Sequence, residues 1–199
     1  LGWLRDRSSL PVRGRVGVGE KSVDASVVEI VLSIAAENGD RALFDGMISA
    51  ARATSNRRER RQILEALGSF RDPELLRAAL GSTLSDAFDV RESFWMVRSA
   101  QTTGPTREIV YDFVKQNYDA LTRRLPDDSA PEKAIVANWI GRNFCDDAHA
   151  ADLESFFRER SAHLTGGPRH LAQAVEAVRL CSAHRALQEP NVSAFLQKR

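Results

Sequence analysis

From Ser22 onward, apolar residues recur at three- and four-residue intervals in block after block. That spacing places them on one face of a helix and disagrees with the two-residue alternation of a strand. Val27, Ile30, Val31 and Ile34 form the first such stripe, expected to face inward and to end at Asn38-Gly39. Asp40 then caps a second helix whose Leu43, Phe44, Met47 and Ile48 turn inward. Ser55 is expected to open a third, with Ile63, Leu64 and Leu67. Asp72-Pro73-Glu74 combines a capping acid, a first-turn proline and a carboxylate near the positive end of the helix dipole.

The second half reads in the same way. Arg91 to Ala100 carries Phe94, Trp95 and Val97; after Gly104-Pro105 comes a long stripe of Ile109, Val110, Phe113, Val114 and Leu121. Pro131 starts a helix with Ile135, Val136, Trp139 and Ile140, and Asp146-Asp147 leads into Leu153, Phe156 and Phe157. Gly166-Gly167-Pro168 interrupts the chain before Leu171, Val175 and Val178, and a short separate helix is expected around Val192, Phe195 and Leu196.

The fold class is therefore all-α. The breaks at Asp40, Asp72, Pro105 and Asp147 are about 32, about 33 and about 42 residues apart, the scale of helix-pair repeats. We read an αα-superhelix of HEAT- or armadillo-like pairs over residues 22–199, with a compact helical bundle as the other option. Residues 1–21, where Gly14, Gly17 and Gly19 alternate with Arg and Val, read as an irregular lead or linker.

Charge narrows the function. Lys plus Arg total 28 and Asp plus Glu total 27, so the chain lacks the basic excess of a nucleic-acid binder. No apolar run approaches the roughly 20 residues of a membrane-spanning helix. A start at Leu1 rather than Met leads us to expect a piece of a longer protein, whose compartment, cytoplasmic or periplasmic/secreted, depends on the part not seen.

No motif supplies a catalytic centre. Gly14 to Ser22 resembles a phosphate loop, but Glu20 spoils the spacing and no apolar strand precedes it. Cys145 with His149 and Cys181 with His184 imitate a metal-ligand set, yet the Cys–His pairs are not the usual spacing. The plainer reading is two half-buried cysteines near surface histidines, too few for a disulfide framework. Arg57, Arg58, Arg60 and Arg61, interrupted by Glu59 and followed by Glu65, read as a solvated helix face with local ion pairs. Phe94-Trp95 and Phe156-Phe157 read as helix-packing residues rather than a ligand cage. No catalytic and no metal residues are assigned.

Several segments, in order, resemble the C-terminal helical domain of M1-family zinc aminopeptidases, the aminopeptidase N-like or ERAP1-like domain. They are Ser22 to Ala25, Leu32 to Asp40, RRQILEALGSFRDPELLRAAL from Arg60 to Leu80, and Phe113 to Asp119. Phe144-Cys145-Asp146, Phe156-Phe157 and GPRHLAQAVEAV from Gly167 to Val178 complete the order. The resemblance implies a non-catalytic domain that caps a separate thermolysin-like domain, encloses the peptide chamber and helps select peptides. Zinc, its ligands and the catalytic glutamate would lie in that other domain, with no cofactor in this chain. The partners implied are the catalytic domain of the same parent chain and the peptide substrate. Where the family has Arg-x-Gln-Asp, this chain has Arg91-Glu92-Ser93-Phe94 and keeps only the arginine. Arg91 and Arg169 are the candidate cavity contacts, with an ion-paired structural role as the other reading of Arg169. The reading also predicts an exposed apolar patch where the rest of the protein docks. A free-standing helical-repeat module for protein–protein interaction is the alternative function.

Overall fold

The computed structural model describes residues 26–100, 104–126 and 130–197. The expected irregular lead and the Gly14–Ser22 stretch lie outside them. All nine regular elements among the described residues are α-helices, as the apolar spacing implies. The chain forms two compact units, divided between Arg124 and Leu125.

The first unit holds α1 (Val28–Glu37), α2 (Arg41–Ala53), α3 (Arg57–Leu67), α4 (Pro73–Ser82), α5 (Val90–Ala100) and α6 (Arg107–Arg124). Short polar residues fix the starts. Asp40 accepts a hydrogen bond from the Leu43 amide, and Asp72 accepts from the amides of Glu74 and Leu75. The third helix begins one residue later than expected, because Asn56 rather than Ser55 accepts from the amides of Arg58 and Glu59.

Packing follows a stacked order. α3 lies against α1, α2 and α5, and α4 lies against α5 and α6. Phe44, Met47, Leu64, Leu67, Phe70, Leu75 and Met96 are buried together, with Phe44 and Phe70 edge to face at 5.4 Å between ring centroids. At the end of α3, Gly68 lets the backbone of α5 approach closely: a side chain there would overlap Ser99 Oγ and the Met96 carbonyl. Ser99 Oγ uses that proximity to donate to the Glu65 carbonyl at 2.6 Å.

The apolar stripe of α1 does not behave as expected. Val27, Ile30 and Ile34 are 41%, 60% and 56% exposed, and Ala36 is the buried residue of the helix. Periodicity correctly grouped the three on one face, but the neighbour of α1 in this unit, α3, packs on a different one.

The second unit holds α7 (Ala130–Gly141), α8 (Asp147–Ala162) and α9 (Gly167–Leu196), with both α7 and α8 packed on α9. Its core includes Val136, Ile140, Phe144, Leu153, Phe157, Leu171, Val175 and Val178. Gly166 enters α9 with φ of 80°, a left-handed conformation that glycine adopts without steric penalty. The separate last helix expected around Val192 does not exist: α9 runs unbroken for 30 residues, through Pro190. A proline removes one backbone bond and crowds the preceding turn, and an exposed helix can absorb both by local adjustment.

The cysteines require a correction as well. Cys145, just before α8, is disulfide-bonded to Cys181 of α9, with 4.9 Å between the α-carbons. They are therefore neither unbonded half-buried thiols nor available as thiolate ligands. Two cysteines 36 residues apart give no sequence signal for pairing; the bond depends on α9 returning past the start of α8.

Candidate functional site

Arg91 is the second residue of α5, and its placement follows from the cap before it. Asp89 accepts a hydrogen bond from the Arg91 amide at 2.8 Å, and its carbonyl accepts from the amides of Glu92 and Ser93. The Arg91 side chain points outward, 60% exposed, with Nε 3.7 Å from the Asp89 carboxylate. An exposed pair at that distance contributes little.

One residue further round the helix, Glu92 turns inward. Its side chain is only 7% exposed, and its two oxygens accept from Arg57 Nε at 2.8 Å and Arg60 Nη1 at 3.0 Å. Arg60 also donates through Nη2 to the Thr54 carbonyl at 2.6 Å and through Nε to the Ala51 carbonyl at 3.3 Å. One guanidinium thus satisfies carbonyls at the C-terminal end of α2 and a carboxylate on α5. Hydrogen bonding to Glu92 and its charge hold the Arg57 guanidinium above its ordinary value.

Arg61 of the basic cluster is held on the same side of α3, while Arg58 is exposed. Arg61 lies over the Trp95 ring at 3.8 Å, and Arg98 lies over the same ring at 4.6 Å. Arg61 also pairs with Glu65 at 3.9 Å, the i,i+4 pair read from the sequence. Arg57, Arg60 and Arg61 thus join α3 to α5, while Arg57 and Arg58 remain exposed and the expected local ion pair is present. Phe94 and Phe157 are buried packing residues, whereas half-buried Trp95 and Phe156 each lie under arginines, Phe156 under Arg160 at 4.0 Å.

Arg169 belongs to the other unit, in the first turn of α9 beside Gly167 and Pro168. It is exposed, and among the described residues it meets no ion-pair partner. A cation in the first turn faces the positive end of the helix dipole, where an anion is favoured. The structural ion pair considered for it is absent among the described residues.

Asp146 and His149 form a further ordered polar pair, in the second unit. Asp146 caps α8 by accepting from the His149 amide, and the His149 Nδ1 lies 2.7 Å from the same carboxylate while its ring stacks on Phe144 at 3.8 Å. The backbone hydrogen bond from His149 holds the Asp146 carboxyl below the ordinary aspartate range; burial opposes it, and the His149 side chain adds a smaller pull in the same downward direction. An aspartate orients a catalytic imidazole in the same way, but the neighbouring Cys145 is bound in a disulfide and offers no thiol. Among the described residues, no three or more His, Cys, Asp or Glu converge as a metal-binding group. No described helix is long and apolar enough to cross a membrane.

Among the described residues, all regular elements are helices, and the ordered polar groups described above serve as caps and interhelical joints. The model of one family, the ERAP1-like C-terminal domain, matches residues 12–180, and the chain belongs to that family. The match runs from before α1 through the packed part of α9 and bears out the resemblance read from the sequence.

Proposed function

We propose that this chain closes the substrate chamber of an M1-type zinc aminopeptidase and helps to select peptides, without contributing to the bond-breaking chemistry. Membership of the ERAP1-like C-terminal domain family carries this reading. In it, zinc and the catalytic groups belong to a separate domain of the parent protein. The exposed Val27, just before α1, and Ile30 and Ile34 on it supply the apolar patch on which the rest of the protein would dock. The mechanism is steric: stacked HEAT-like helix pairs wall off a cavity and exclude large folded substrates. Arg91 of the first unit and, independently of it, Arg169 of the second are the side chains we propose as peptide contacts, each exposed and able to hydrogen-bond a peptide carbonyl or carboxylate.

Co-purification of the chain with the separately expressed catalytic domain of its parent tests the docking. The reading expects a stable complex that weakens when Ile30 and Ile34 are replaced by Glu, while circular dichroism stays helical. Peptidase activity in the purified chain by itself would overturn it.

A further inference from the structure

The turn between α1 and α2 is built on Asn38-Gly39, the one Asn-Gly step in the sequence. Asn38 is exposed and closes α1: its side-chain amide donates to the Ile34 carbonyl at 3.1 Å, in the last turn of the helix. Gly39 is fixed by packing. A side chain there would come within 2.7 Å of the Phe70 ring and 2.8 Å of Leu43, so a larger residue would displace buried Phe70 or its neighbour. Asparagine is a chemically labile residue, and most so before glycine, whose bare α-carbon leaves the backbone nitrogen unshielded.

We propose that Asn38 is a site of spontaneous deamidation, with water as the co-reactant, and that the change releases the last turn of α1. The Gly39 nitrogen attacks Cγ of Asn38, a C–N bond forms, and the Cγ–Nδ2 bond breaks. Ammonia leaves, carrying the proton that Gly39 gave up. The cyclic imide then takes up water. Opening at Cγ gives aspartate, and opening at the Asn38 main-chain carbonyl gives isoaspartate, whose backbone runs through the former side chain. No oxidant or reductant enters, and the chain gains a negative charge. The proposal stands on this turn and not on the aminopeptidase reading.

Both products lose the cap. A carboxylate cannot donate to the Ile34 carbonyl, and its charge stands at the negative end of the α1 dipole. Isoaspartate also lengthens the backbone beside Gly39, where Phe70 and Leu43 already fill the space. α2 keeps its own cap, Asp40, and buries Phe44, Met47 and Ala51, whereas Ala36 is the buried residue of α1, so the loss falls on α1. The folded turn holds the reaction back. The Gly39 amide donates to the Ala36 carbonyl at 3.0 Å, and its nitrogen must be freed by local opening before it can attack.

Peptide mapping by mass spectrometry of the 199-residue chain, kept at mildly alkaline pH with and without urea, tests the reaction. The expected result is conversion of Asn38 at least tenfold faster than of Asn56, Asn117, Asn138, Asn143 or Asn191, each followed by a bulkier residue. Urea should speed it further, and Asn38→Gln should abolish it. In Asn38→Asp, hydrogen exchange over the last turn of α1 should quicken about fivefold, the size expected for one lost hydrogen bond, with α2 and α3 still protected. Conversion of Asn38 no faster than of the other asparagines would overturn the proposal. Unchanged exchange in Asn38→Asp would overturn it too, because the reaction would then release nothing. So would loss of protection across α2 and α3, since the cap would then hold the whole unit rather than the end of α1.

Discussion

Glu92 of α5 and Arg60 of α3 meet at 3.0 Å, with the carboxylate almost fully buried and the guanidinium three-quarters so. Because Arg60 also serves the carbonyls of Ala51 and Thr54, the pair locks three helix ends together. Removing one member leaves the other charged and short of partners. Glu92→Ala is therefore expected to destabilise the first unit by about 3 kcal/mol, the low end of the range for broken buried pairs. Arg60→Met should cost nearly as much, and Arg57→Met distinctly less, since Arg57 is largely exposed. Urea denaturation of the three variants checks the order.

Two glycines should respond oppositely to alanine. At Gly68 a methyl group meets Ser99 and the backbone of α5, so Gly68→Ala should destabilise by about 1–3 kcal/mol. At Gly81 nothing lies within 4 Å of the added carbon, and the residue sits in α4. Gly81→Ala should stabilise by roughly 0.5–1 kcal/mol. Thermal melts of both variants read the two signs directly.

The Asp146 cap gives a pH signature. Its carboxyl is held below the ordinary aspartate range, so its contribution is complete above that range and is lost as pH falls through the lowered value. At pH 7, Asp146→Ala should cost about 1 kcal/mol, with Asp146→Asn costing less because an acceptor remains. The gap between wild type and Asp146→Ala should narrow as pH drops below about 4. Chemical denaturation at pH 7 and pH 3 measures both.

Glu65 predicts the opposite slope. Burial, and then the charge of Glu29, push its carboxyl above the ordinary glutamate range, against the pull of Arg61 and Arg98. Its protonation therefore favours the fold, fully so below the ordinary glutamate value of about 4.3, and that gain fades as pH rises through the raised value. Glu65→Gln should melt at a higher temperature than wild type at pH 7 and at an equal one at pH 4. Glu29→Gln should move the melt in the same direction.

Much of this fold was legible in the sequence because helix starts are written in local chemistry. Asp40, Asp72 and Asp146 each stand before an apolar-periodic run, and each accepts the amide bonds that a cap requires. What failed were questions whose answers lie outside the local chain. The stripe of α1 is real, but spacing cannot say whether another element covers it. Pro190 is a helix breaker by rule, yet α9 passes through it in a stretch that is exposed. Cys145 and Cys181 pair only because α9 returns to the start of α8. Of the candidate site, Arg91 was visible through the resemblance, but the inward Glu92 beside it was not, since its partners are more than 30 residues away. Arg169 carried no local signal beyond the resembling stretch.

We propose that this chain shapes a peptide chamber in which it does not itself catalyse. The most direct measurement is cleavage of a graded series of peptides by the parent's catalytic domain, alone and with this chain added at saturation. The account predicts that the chain binds and imposes a dependence of cleavage on peptide length, weakened by Arg91→Ala or Arg169→Ala. Unchanged cleavage across the series despite binding would contradict it and favour a free-standing interaction module.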